Sequence, residues 1–222
     1  MAPSGRPRPW PVAAVFDCDG LLAGTEHCWH AAYRAVAADA GRSLAGVSLA
    51  SLNGASVGLA AERLGCALDV PISHERLREQ LQQAVELQPL QAMAGAERLL
   101  QALGRELPLA VASNGPAAVV ETVLDRTGLR RHFATIVSAE QVAAPKPWPH
   151  VYLEACRQLA VDPSDAIALE DSPLGAEAAR TAGLLLIAIP SDPDDHIEAD
   201  LTAARLDDPR VLSLFGLSRL SR

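Results

Sequence analysis

Five short apolar runs punctuate the chain, at 12–17 (VAAVFD), 107–112 (LPLAVA), 134–138 (ATIVS), 166–170 (AIALE) and 184–189 (LLLIAI). None alternates between apolar and polar residues. A nearly continuous apolar run is what a strand shows when both faces of its sheet are covered. Between and ahead of these runs lie amphipathic stretches at 95–104, 116–127, 148–160 and 173–182, with Pro116 and Pro173 near first turns and Gly128 and Gly183 just past the ends. Strand and helix in alternation predict an α/β fold, a Rossmann-like doubly wound parallel sheet with right-handed crossovers.

The rhythm fails between the first and second strands. Residues 24–93 contain no strand pattern but three helical ones, 27–40, 48–64 and 74–88, the last placing Leu77, Leu81 and Val85 on one face. The interval is too long for a crossover and predicts an inserted all-helical subdomain. The organisation expected is therefore a core of 12–23 and 94–222, a helical insert of 24–93, and a disordered leader of 1–11 (MAPSGRPRPWP) that has arginines and prolines but no apolar segment. Residues 190–222 read as an acidic loop followed by a short terminal helix.

Composition narrows the function. Apolar residues make up 49% of the 222 and charged ones 21%, as in a soluble globular protein. No apolar run approaches the ~18 residues of a membrane helix, so no membrane partner is expected. The net charge of −8 argues against nucleic acid, whose phosphates reward clustered basic groups. Cys18, Cys28, Cys66 and Cys156 form no C-x-x-C pair and read as reduced thiols of a cytoplasmic protein. Of 19 basic residues, one is lysine: Lys146. A compact ammonium where arginine is used everywhere else suggests a site that cannot take a planar fork.

Ligands of open α/β sheets bind at the carboxyl ends of the strands, and the polar residues gather there. The first strand ends in Asp17-Cys18-Asp19-Gly20, the second in Ser113-Asn114 and the fourth in Glu170-Asp171-Ser172, while Lys146 precedes the helix leading to the fourth. Taken singly, the second and fourth sets are ordinary helix caps and Lys146 a solvated loop residue. Together they place four acids, a hydroxyl, an amide and an ammonium in one crevice. An all-oxygen excess of carboxylates suits Mg²⁺. A cation, an ammonium and helix-start N–H groups describe a phosphate site.

"FDCDG", "ASNGP", "APKPWP" and "ALEDSPLGAEAARTAG" resemble the four signature motifs of the haloacid dehalogenase (HAD) superfamily, in order and over residues 12–190. The arrangement is most similar to the helical-cap subgroup that contains phosphoglycolate phosphatase-like enzymes and β-phosphoglucomutase. The resemblance implies that 24–93 is a mobile cap over the crevice. It implies Asp17 as nucleophile and Asp19 as general acid and base. Mg²⁺ would be held by Asp17, the Asp19 carbonyl and Asp171, with Glu170 in support, and the transferring phosphate by Ser113, Lys146 and the backbone N–H groups of Gly20 and Asn114.

The activity implied is Mg²⁺-dependent hydrolysis of a small-molecule phosphomonoester through an aspartyl-phosphate, by a monomer. A phosphosugar mutase is the rival enzyme and a non-catalytic phosphate-binding module the rival of another class. Against the mutase, Trp29 stands where that pattern has a cap histidine, His30 is one residue off and expected to point elsewhere, and Val57 stands where it has an arginine. His27 falls at the cap hinge, and Trp148 replaces a typically small residue. Specificity is expected from the cap, whose arginines are Arg34, Arg42, Arg63, Arg76 and Arg78.

Overall fold

In the computed structural model, which describes residues 11–192 and 194–217, strand β1 (Ala13–Phe16) lies inside a six-stranded sheet. Its side chains divide by the two-residue period of a strand. Ala14 and Phe16 enter one apolar cluster, Ala13 and Val15 the other, and all four are fully buried. This is why the run reads as continuously apolar. Strands β2 (Leu109–Ser113) and β3 (Thr135–Ser138) lie to one side of β1, and β4 (Ala166–Glu170), β5 (Leu185–Ala188) and β6 (Leu201–Thr202) to the other. The order is β3-β2-β1-β4-β5-β6, and every pairing is parallel.

The first cluster is roofed by Leu99 and Leu103 and by Val120 and Val123, the second by Val151 and Ala155 and by Ala178 and Ala179. These come from α4 (Ala96–Leu103), α5 (Ala117–Arg126), α6 (His150–Leu159) and α7 (Pro173–Ala182). The last of these shows how the sequence bounds a helix. The Ser172 hydroxyl accepts from the Gly175 amide at 3.2 Å, Pro173 opens the first turn, and Gly183 closes it at φ +89°.

The inserted helices are α1 (Glu26–Asp39), α2 (Val57–Leu68) and α3 (His74–Leu87), packed through Leu64, Leu77, Leu81 and Val85. Two adjacent chain passages join them to the sheet. Gly24 N–H donates to the Gln91 carbonyl at 3.1 Å and Met93 N–H to the Leu22 carbonyl at 2.8 Å.

Two expectations are corrected. The helix expected at 48–64 is a 3-10 turn over Leu49–Leu52, a break, and then α2, which runs on to Leu68. Asn53-Gly54 makes the break, Gly54 adopting φ +70°, and the Ser56 hydroxyl restarts the helix by accepting from the Leu59 amide at 3.3 Å. The segment read as an acidic loop contains β6, a two-residue strand too short to show a pattern, ahead of α8 (Pro209–Leu214). The expected leader lies outside the described residues except for Pro11, which is buried.

Candidate active site

The sheet grows outward from β1 in one direction through β2 and β3, then resumes on the other side at β4. That reversal opens a crevice above the carboxyl ends of β1 and β4. Asp17 follows β1 directly, and its amide donates to Leu169 of β4 at 3.0 Å. Cys18 turns into the core, fully buried, which lets Asp17 and Asp19 face the same side. Gly20 then takes φ +82°, and a Cβ there would lie 2.1 Å from Oδ2 of Asp171. The turn after β1 and the carboxylate after β4 interlock, so no larger residue fits at 20.

Lys146, 1% exposed, lies between Asp17 and Glu170, donating to Oδ1 of the first and, at 2.5 Å, to Oε1 of the second. Its ammonium lies 5.1 Å from the ring centre of Tyr152, whose hydroxyl donates to the same Glu170 oxygen at 2.6 Å. The other Glu170 oxygen accepts from the Asp171 amide and the Ser172 hydroxyl, at 3.2 and 3.3 Å. Glu170 is thereby saturated. It orients the lysine rather than facing the crevice.

The balance of charge is unfavourable for the acids. Burial pushes the Asp17 carboxyl up to about 8; Lys146 opposes this, and Glu170 and Asp19 add to it. Burial, Asp17 and Glu170 likewise push Asp171 well above the carboxylate range. Burial on its own would depress Lys146, but Asp17 and Glu170 hold its ammonium above the ordinary value. One ammonium does not neutralise three buried acids. Oxygens of Asp17, Glu170 and Asp171 lie within 4.8 Å of one another, a hard-donor cluster compatible with a divalent cation. With Glu170 engaged elsewhere, Asp17 and Asp171 are its available side-chain ligands.

Asp19 is raised by burial, while hydrogen bonds from Thr25, Trp29 and Ser113 pull it down. The Thr25 hydroxyl holds Oδ1 at 2.6 Å. The Asn114 side chain is a clamp: its Nδ2 donates to the carbonyls of Gly54 (2.8 Å) and Lys146 (3.2 Å), and its Oδ1 accepts from the Lys146 amide at 2.8 Å. The Gly20 amide, expected as a phosphate donor, donates to the Ala23 carbonyl at 2.9 Å within the turn after β1.

Asp17, Asp19, Gly20, Asn114 and Asp171 floor a cavity of about 410 Å³ between sheet and cap, with Ser113, Lys146 and Glu170 buried around them. Trp29, His30 and Tyr33 of α1 form a wall of this cavity. The expectation that His30 points elsewhere is corrected: the cavity spans more than one turn of α1, so neighbouring positions both reach it. His27 lies outside it, its Nε2 2.8 Å from the Pro89 carbonyl across the hinge. Trp148 is 61% exposed and also outside. None of the five cap arginines lines the cavity.

Sequence reasoning gave no role to Thr25, Tyr152 or Gly54. Tyr152 carried no signal beyond a helical core position. Gly54 had one, the Asn-Gly pair inside a supposed helix. A Cβ at Gly54 would meet the Ser172 hydroxyl at 2.6 Å, so the break brings cap backbone against the core motif.

A Rossmann-like sheet under a helical cap, with paired aspartates after β1 and a buried lysine, defines a class of phosphate-handling hydrolases. The family model described as "Haloacid dehalogenase-like hydrolase" matches residues 14–189, and the chain belongs to that family. Hexitol phosphatase B of Escherichia coli (strain K12) is 32% identical over 223 residues, covering 92% of this chain and 97% of that protein. The bifunctional riboflavin kinase/FMN phosphatase of Arabidopsis thaliana is 35% identical over 112 residues, half of this chain, which spans only 30% of that protein's length. The solved structure of CbbY from Rhodobacter sphaeroides in complex with phosphate has a TM-score of 0.80 and 27% identity, with 93% of this chain and 99% of that one covered. The chain is an enzyme, a phosphoric monoester hydrolase of the HAD-like kind. Among the described residues, no helix is long and apolar enough to cross a membrane.

Proposed function

We propose that this enzyme is a Mg²⁺-dependent phosphatase that hydrolyses a small-molecule phosphomonoester through an aspartyl-phosphate on Asp17. The observation that carries the reading is Asp17 itself, bonded to Lys146 on one side and open to the cavity on the other, with Asp19 held beside it by Thr25. In the first step an Asp17 oxygen bonds to phosphorus as the bond to the leaving oxygen breaks, and Asp19 protonates that oxygen. In the second, Asp19 takes a proton from water, the water oxygen bonds to phosphorus, and the acyl-phosphate bond breaks to return Asp17 and release phosphate. A bound Mg²⁺, held by Asp17, Asp171 and the Asp19 carbonyl, would supply the positive charge the acids lack. Lys146 offsets charge on the transferring oxygens, supported by Ser113 and the Asn114 backbone. Glu170 and Tyr152 position the lysine.

The test is phosphate release from a panel of phosphorylated metabolites, with Mg²⁺ and with a chelator. Release that is Mg²⁺-dependent and lost in Asp17→Asn supports the reading; release unaffected by both refutes it. A phosphosugar mutase is a second reading, favoured by one observation, that His30 lines the cavity. Yet His30 lies 3.6 Å from Glu26, and Trp29 supplies the indole facing Asp19. With β-glucose 1-phosphate and a trace of the bisphosphate, phosphate should appear faster than glucose 6-phosphate. We further read residues 24–93 as the cap and the enzyme as a cytoplasmic monomer, the four free cysteines being in keeping with a reducing compartment.

A further inference from the structure

The Lys146 ammonium is held by Asp17 and Glu170, but its backbone is held by a different residue. One side chain meets both polar groups of the Lys146 main chain: Oδ1 of Asn114 accepts from the amide at 2.8 Å, and Nδ2 donates to the carbonyl at 3.2 Å. Pro145 and Pro147 flank the lysine and bring no N–H, so over these three residues the Lys146 amide is the sole backbone donor. A carboxamide nitrogen has a second hydrogen to place. It goes to the cap, where Nδ2 also donates to the Gly54 carbonyl at 2.8 Å.

The position of Gly54 is constrained from another side. At φ +70°, a Cβ there would lie 2.6 Å from the Ser172 hydroxyl, so only a glycine lets this turn come close enough for its carbonyl to reach Asn114. Ser172 in turn donates to Glu170, whose other oxygen accepts from the Lys146 ammonium. The Gly54 turn thus rests on two supports of the lysine, one under its backbone and one beside its ammonium. Asn114 is 7% exposed. Withdrawing the Gly54 carbonyl strands an amide N–H where little water can replace it, and frees the side chain to turn away from the lysine.

We infer that Asn114 is a positioning residue for Lys146 and that its hold is completed from the cap: the lysine is set for the phosphate when the Gly54 carbonyl is seated on Nδ2. This rests on the phosphatase reading above, in which Lys146 offsets charge on the transferring oxygens, and adds the condition under which that lysine is in place. Such a coupling is a free energy and runs both ways, so the ordered lysine also favours the seated turn.

The experiment disturbs the cap end and reads the lysine end. Gly54→Ala sets a methyl against the Ser172 hydroxyl and lifts the turn. Hydrogen exchange at the Lys146 amide, followed by mass spectrometry, should then quicken about three- to tenfold, the worth of one neutral hydrogen bond. Arg78→Ala is the control. It removes another contact between cap and core, the 2.6 Å ion pair of Arg78 with Glu140, and should leave that exchange within about twofold of the wild type. With Mg²⁺ and p-nitrophenyl phosphate, or the metabolite of the panel released fastest, Gly54→Ala and Asn114→Ala should each lower kcat at least about threefold. The double variant should be no worse than Asn114→Ala by more than about twofold, because a link already cut cannot be cut again. Unchanged Lys146 exchange in Gly54→Ala overturns the inference, as do losses in kcat that multiply, or an Arg78→Ala that quickens exchange as much as Gly54→Ala. Should circular dichroism show Asn114→Ala unfolded, exchange in Gly54→Ala and Arg78→Ala decides alone. No phosphate release by the wild type overturns the phosphatase reading and the inference with it, whereas release with multiplying losses overturns the inference alone.

Discussion

The floor and the wall of the cavity are built on opposite rules. Beneath the floor Glu170 is fully claimed, accepting from a lysine, a tyrosine, backbone amides and a serine hydroxyl. On the wall, Trp29 and Tyr33 stand with ring centres 5.8 Å apart, beside Met93, Ile189 and Leu206. A saturated network has one arrangement and cannot be retuned piecemeal, because removing one member strands another in a low dielectric. A wall of rings and aliphatic side chains carries no such network and is more easily altered. On the proposed function, the chemistry falls to the saturated region and the choice of substrate to the permissive one.

The largest effect should come from striking the floor at its reacting atom. Asp17→Asn cannot form the acyl-phosphate and should lower kcat at least about a thousandfold, some 4 kcal/mol of barrier, in a protein whose circular dichroism is unchanged. Lys146→Arg should follow, losing about a hundredfold or more in kcat, because a planar fork cannot occupy the space between Asp17, Glu170 and the Tyr152 ring. Near-normal turnover by this variant would show that the floor is not the rigid element argued for. Tyr152→Phe removes one donor from Glu170 and should cost about 1.5–3 kcal/mol in urea unfolding, with less than a tenfold change in kcat. Met93→Ala, at a lining side chain with no hydrogen-bond donor for Asp19, probes the wall. It should raise KM about three- to tenfold with the smallest change in kcat of the four, a split that steady-state kinetics on the preferred phosphate will show.

The same division explains what the sequence disclosed. Strands buried on both faces announce themselves by uninterrupted apolar runs, and all five such runs are strands. The convergence of Asp17, Asp19, Lys146 and Asp171 was legible because acids are improbable at the ends of buried strands and Lys146 is the single lysine of the chain. Tyr152 was not, since one hydroxyl on a core helix face leaves no trace in periodicity. His30 was misjudged because a cavity wider than one helical turn reaches neighbouring positions that a helical wheel separates. The split of the 48–64 helix was written in Asn53-Gly54, a turn pair read past for the sake of an apolar pattern.

The solitary lysine has a practical consequence. Apart from the terminal amine, reagents that acylate primary amines have one target in the whole chain, and its nitrogen is shut inside at 1% exposure. Such a reagent acts as a clock: each modified side chain records one excursion in which the interior was laid open. The protein therefore carries a built-in chemical reporter of its own breathing, needing neither an engineered label nor a fluorophore, and read by the mass of a single peptide.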